Sequence, residues 1–144
     1  MPFRQIQILA SAIPYTVGIL DPSGTIEYVN SAVVEQYGFE PEELIGKSAR
    51  ECYEINPDDA GRVEEMGYRL ADIRPFEMRL TGQGRDGGAF PVGVAFIPFQ
   101  SSQTSSHRYI CLQRKLDNPG DEVLAHPEFR EIYAGLLRIV CNLG

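Results

Sequence analysis

From residue 76 the chain leaves the helical period for an alternation of two, in which Phe76, Met78 and Leu80 stand against Glu77, Arg79 and Thr81. That alternation puts one set of side chains on each face of a strand and predicts a single buried face. The partner strand is specified too. Asp86-Gly87 is tight-turn chemistry, and beyond it Phe90, Val92, Val94 and Phe96 alternate with smaller residues. A last strand, Arg108 to Arg114, follows the polar loop Gln100 to Ser106. The rest of the chain must supply the layers that cover this sheet.

Residues 3–13 carry Phe3, Ile6, Leu9 or Ala10, and Ile13 at helical spacing, a short amphipathic helix stopped by Pro14. Thr16 to Leu20 and Thr25 to Val29 suit two strands, joined by the turn Asp21-Pro22-Ser23-Gly24. Asn30 stands where a helix over Ser31 to Tyr37 wants its N-cap, and Gly38 is placed for the left-handed C-cap. Pro41, Glu42 and Glu43 begin a second short helix that Gly46 stops. Asn56-Pro57-Asp58-Asp59 starts a third that reaches about Ala71, although Gly61 and Gly67 each weaken it by about 1 kcal/mol relative to Ala.

Lys115 to Gly120 reads as a linker. A helix resumes from Asp121, with Phe129, Tyr133, Leu136, Val140 and Leu143 spaced 4-3-4-3 as a heptad seam. Ile132, Leu137 and Ile139 broaden that stripe. It either folds back on the outer face of the sheet or pairs with its counterpart in a dimer, and the dimer is the favoured reading. The order is helix, two strands, three helices, three strands, helix. That is an α+β antiparallel sheet with its middle helices on one face.

Composition narrows the function classes. With 144 residues the chain fits one domain, and 43% hydrophobic with 23% charged residues is a globular balance. Twenty acidic against 13 basic residues give a net charge of −7, a field that repels phosphate backbones and anionic lipid, so no direct nucleic-acid or membrane partner is expected. No run approaches the roughly 18 apolar residues of a membrane span, and the start does not read as a signal peptide. The three cysteines, Cys52, Cys111 and Cys141, are widely spaced and form no C-x-x-C, which suggests neither a disulfide framework nor a metal site. A reducing cytoplasm follows as the expected location.

Four segments in this order resemble the PAS family over roughly residues 9–116: Asp21-Pro-Ser-Gly24-Thr-Ile26-Glu-Tyr-Val-Asn30, Tyr37-Gly38-Phe39, Glu42-Glu-Leu-Ile-Gly46-Lys47, and Arg85-Asp86-Gly87 leading into Phe90-Pro91-Val92. The resemblance implies a five-stranded antiparallel sheet in order 2-1-5-4-3, helices on one face enclosing a small pocket, and flanking helices that pass a signal to an output domain. It divides the chain into a flanking helix at 1–14, the sensory domain at 15–116, and a linker with an amphipathic helix at 117–144. PAS domains bind haem, flavin, a cinnamoyl chromophore, small carboxylates or nothing. Cys52 lacks the Asn and Arg frame of the flavin-thiol light sensors, and Pro57 to Asp72 contains no histidine for haem, so the cofactor stays unknown and Cys52 reads as a buried structural thiol.

Other motifs fail on context. Gly82-Gln-Gly84-Arg-Asp-Gly87 matches G-x-G-x-x-G, but a strand follows it where dinucleotide binding needs a helix. Gly46-Lys47-Ser48 ends like a P-loop but has Pro41 in place of the first glycine. His126-Pro127-Glu128-Phe129-Arg130 is similar to the phospho-accepting box of histidine kinases, interrupted by Pro127, and reads better as a helix start. No nucleophile elbow is present, so no catalytic residue is expected.

The expected pocket residues, by alternation and position, are Tyr28, Tyr37, Met66, Tyr68, Met78, Val94, Phe96 and Ile110. The expected dimer residues are Phe3, Ile6, Ile13, Phe129, Tyr133, Leu136, Val140 and Leu143. The expected function is a homodimeric sensory module that detects a small ligand or redox state. It would regulate a histidine kinase, diguanylate cyclase or transcription regulator, in cis or as a partner in trans. A ligand-free protein–protein interaction module is the alternative.

Overall fold

The computed structural model describes residues 2–53, 60–100 and 107–143. Helix α1 (Pro2–Ser11) leads into strands β1 (Thr16–Leu20) and β2 (Ile26–Val29). Short helices α2 (Ala32–Tyr37) and α3 (Pro41–Leu44), a 3-10 turn at Ala49–Cys52 and helix α4 (Ala60–Asp72) follow. Strands β3 (Phe76–Gln83), β4 (Ala89–Gln100) and β5 (His107–Lys115) precede a second 3-10 turn, Val123–Ala125, and the long helix α5 (Pro127–Leu143). The start signal at Asn56–Asp59 and most of the loop after Gln100 lie outside the described residues.

The strands form one antiparallel sheet in the order β2-β1-β5-β4-β3, the order that the PAS resemblance implies. Turn chemistry sets its corners. Asp21 accepts from the amides of Ser23 and Thr25 at 2.8 and 3.0 Å, which holds the β1–β2 turn, and Gly24 takes φ 89° there. Gly38 takes φ 81° and closes α2 on the carbonyl of Val34. In the β3–β4 turn Gly87 takes φ 84° while Asp86 accepts from Gly88 at 2.8 Å. At the start of α3 the Glu43 carboxylate accepts from the Glu40 amide at 3.0 Å.

The sheet is covered on both faces. The inner face, under α2 to α4, packs Leu20, Phe76, Met78, Leu80, Phe96 and Tyr109 around Met66 of α4. The outer face packs Val17, Ile19, Ile97, Ile110 and Leu112 against Ile6 and Ala10 of α1 and Phe129 and Leu136 of α5. Strand β1 is therefore buried at all five positions, without the polar alternation of a half-solvated strand.

Asn30 does not cap α2. That position falls to Ser31, whose side chain makes no cap bond. Asn30 is buried instead, accepts from the amide of Val17 at 3.0 Å, and donates to the carbonyls of Ala10 and Tyr15 at 2.8 and 2.9 Å. One amide thus ties the end of α1 to β1 and β2, satisfying backbone groups that the sheet leaves over.

The seam of α5 folds back on its own sheet. Ile6, Phe129 and Leu136 are 1%, 0% and 4% exposed in the single chain. Each such side chain contributes about 1.5–3 kcal/mol by leaving water, so these three are structural outer-layer residues and not a free dimer surface. Tyr133, Val140 and Ile13 are partly buried at the margin of the same cluster. The side chains of Phe3 and Leu143 lie outside the described residues. The segment after β5 is docked rather than loose: Leu116 is buried and donates its amide to Pro91, and Val123 packs where Gly93 of β4 leaves room for it.

Candidate functional site

Between the inner face of β1 and β5 and the helices α2 and α3 lies a cavity of about 30 Å³. Space of that size holds about two water-sized groups. Its floor is Thr16 and Gly18 of β1 beside Gln113 and Cys111 of β5, directly paired across the two strands. Tyr37 of α2 and Tyr53, just past the 3-10 turn, close it, and Cys52 completes the wall.

The polar groups form a chain. The Tyr37 hydroxyl donates to Gln113 Oε1 at 2.6 Å, and Gln113 Nε2 donates to the Tyr53 hydroxyl at 3.2 Å. Thr16, 2% exposed, stands opposite Gln113 with its Oγ1 unpartnered. Gly82 makes this arrangement possible: a Cβ there would meet the Phe90 ring at 2.8 Å and the Tyr37 hydroxyl at 3.0 Å. Tyr53 is held beside it by a backbone bridge to Gly82.

Burial sets the electrostatics. It pushes the hydroxyls of Tyr37 and Tyr53 well above the usual tyrosine value, so both keep their protons. Burial also raises the Cys52 thiol to about 11 and drives Cys111 higher still. Since the thiolate is the reactive form, both thiols are quiet near neutral pH. Among the described residues no Asp, Glu, Lys, Arg or His lines the cavity, and no group of three metal-ligating side chains occurs. A haem or flavin would need this wall to open, and it offers no axial histidine.

The expected pocket residues divide. Tyr37 lines the cavity. Met66, Met78, Val94 and Phe96 belong to the same inner core, but farther along the sheet, where Phe96 stacks on Phe76 at 4.4 Å. Tyr28 and Ile110 are corrected: both face the outer layer, and the Tyr28 hydroxyl donates to the carbonyl of Gln7 in α1 at 3.3 Å. Tyr68 is corrected as well, standing 75% exposed on α4. Thr16, Tyr53, Cys111 and Gln113 were missed. Strand parity carries a signal for Gln113, a polar residue that follows Tyr109 and Cys111 on the inner face of β5 and is buried with them.

Arg114, the next residue of β5, points to the other side of the sheet. Its Nε and Nη2 donate to the carbonyls of Val123 and Glu122 at 3.1 and 2.9 Å, and its guanidinium lies 5.6 Å over the Phe129 ring. Consecutive residues of one strand therefore touch the inner cavity and the base of α5.

A family profile described as PAS domain matches residues 14–114. The chain belongs to the PAS family. The PAS domain is 25% identical over 100 residues to the nitrogen fixation regulatory protein of Klebsiella pneumoniae, a match covering 69% of this chain and 20% of that protein. It therefore spans about one-fifth of that relative's length. A PAS domain of an HTR-like protein from Haloarcula marismortui superposes with a TM-score of 0.64 at 20% identity, over 79% of this chain and 91% of that one. The Rhodobacter sphaeroides LOV protein does so at 0.78 and 14% identity, over 96% and 81%, so its likeness in fold takes in the flanking helices. PAS domains are sensory modules of signalling proteins. Among the described residues no helix is long and apolar enough to cross a membrane.

Proposed function

We propose that this PAS domain is the sensing part of a cytoplasmic, homodimeric signalling protein. A small molecule in the inner cavity would shift the seat of α5 and so regulate an output, such as a histidine kinase, a diguanylate cyclase or a transcription regulator. The observation that carries this reading is the adjacency of Gln113 and Arg114. Gln113 bonds Tyr37 and Tyr53 inside the cavity, while Arg114 grips the approach to α5. A change in the cavity chain needs to travel one residue of β5 to reach the effector helix, and a ligand with different affinity for the two seats of α5 shifts their populations.

The resemblance to a nitrogen fixation regulatory protein supports a regulatory output. Detection of redox state by the cavity thiols is disfavoured by their raised values. Dimer contacts fall to apolar side chains left outside the outer core, Ile8 and Leu9 of α1 at 62% and 40% exposure, and to the partly buried Tyr133 and Val140 of α5. Native mass spectrometry on protein purified from cells tests ligand and assembly together. The expected species is a dimer carrying a small-molecule adduct that a Gln113→Leu variant loses. A bare chain, with or without a captured protein, favours the second reading, a ligand-free interaction module, which the small size of the cavity supports.

A further inference from the structure

Among the described residues the cavity wall is polar yet carries no charge, and this combination selects a ligand class. Tyr37 spends its proton on Gln113 Oε1, and Gln113 spends one N–H on Tyr53. That leaves the second N–H of Gln113 and the proton of Tyr53 as donors facing the cavity, with the unpartnered Thr16 hydroxyl able to donate or accept. Two donors and one two-way hydroxyl among the lining residues suit a carbonyl oxygen with a neighbouring N–H or O–H. A carboxylate is excluded on energetic grounds: it would be buried without a cation, since no Lys, Arg or His lines the described wall. A cation is disfavoured by the same argument, since no Asp or Glu lines the wall among the described residues.

We propose that the cavity formed by Thr16, Gln113, Tyr53 and Tyr37 binds a small uncharged carbonyl or amide molecule, held by Thr16 and the free donors, and rejects the corresponding anion. The proposal rests on the cavity being the sensing site and names what that site accepts. A volume of about 30 Å³ limits such a molecule to about three heavy atoms.

Formamide and formate are a matched pair of probes, equal in heavy atoms and planar shape but different in charge. Each is titrated into the protein at equal concentrations while the side-chain amide of Gln113 and the backbone amide of Thr16 are followed by NMR. Formamide is expected to shift these resonances saturably, and formate to leave them in place. Thr16→Val, which keeps the shape and removes the hydroxyl, is expected to weaken formamide about tenfold, the equivalent of one hydrogen bond. Thr16→Ser is expected to retain most of the binding. Formate binding as well as formamide, or an unchanged affinity in Thr16→Val, overturns the neutral-ligand assignment while leaving the cavity as a binding site. Failure of both probes to move any cavity resonance overturns the assignment and the sensing reading together.

Discussion

Asn30 spends its whole amide on backbone: it accepts from Val17 and donates to Ala10 and Tyr15, all within 3.0 Å. An Asn30→Ala variant strands these groups in a buried place, and urea denaturation is expected to show a loss of about 2–4 kcal/mol. A helix-cap role would cost about 1 kcal/mol. The sequence offered Asn30 as a cap because it stands just ahead of a helical stretch, and local chemistry cannot see that α1 returns to the same spot. The turn residues were legible for the opposite reason. Asp21, Gly24, Gly38 and Gly87 act on neighbours within a few positions, where spacing alone is informative. Thr16 and Gln113 were not legible as a site, because each looks like an ordinary strand residue until the β1–β5 register pairs them.

The strands are legible in the sequence as elements and less so as surfaces. With α1 and α5 covering one face and α2 to α4 the other, β1 is buried at all five positions and β5 from Tyr109 to Gln113. Alternation in such strands no longer says which side is which, and Ile110, expected in the pocket, lies in the outer layer with Phe129 and Leu136 of α5. Strand β3 kept its alternation, and its inner residues Phe76, Met78 and Leu80 were legible. The heptad spacing of α5 likewise fixed the apolar stripe but not its partner, which is the chain's own sheet. Leu136→Asp therefore puts a charge in the outer core, and thermal melting should show a destabilised fold, by roughly 3–5 kcal/mol. Dissociation of a dimer with the melting point unchanged would instead place Leu136 at a subunit interface.

Across the molecule, the inner cavity joins four acids whose protons burial retains: Tyr37, Tyr53, Cys52 and Cys111. A group whose value is raised on folding stabilises the fold below its ordinary value, and the contribution is lost as pH rises through the folded one. Stability is thus expected to fall above the ordinary thiol value of 9.0, and urea midpoints measured with rising pH should show it, with a shallower fall in Cys111→Ala. At this scale the central claim is that the inner cavity and α5 are coupled through β5. Hydrogen exchange of the amides at 127–143 tests it most directly, comparing the unaltered chain with Gln113→Leu, Arg114→Ala and the double variant. The coupling predicts that the Gln113 change alters exchange in α5 in the same direction as the Arg114 change, with little added by combining them. Exchange in α5 that stays at the unaltered level in Gln113→Leu, while only the inner-face helices respond, would contradict it.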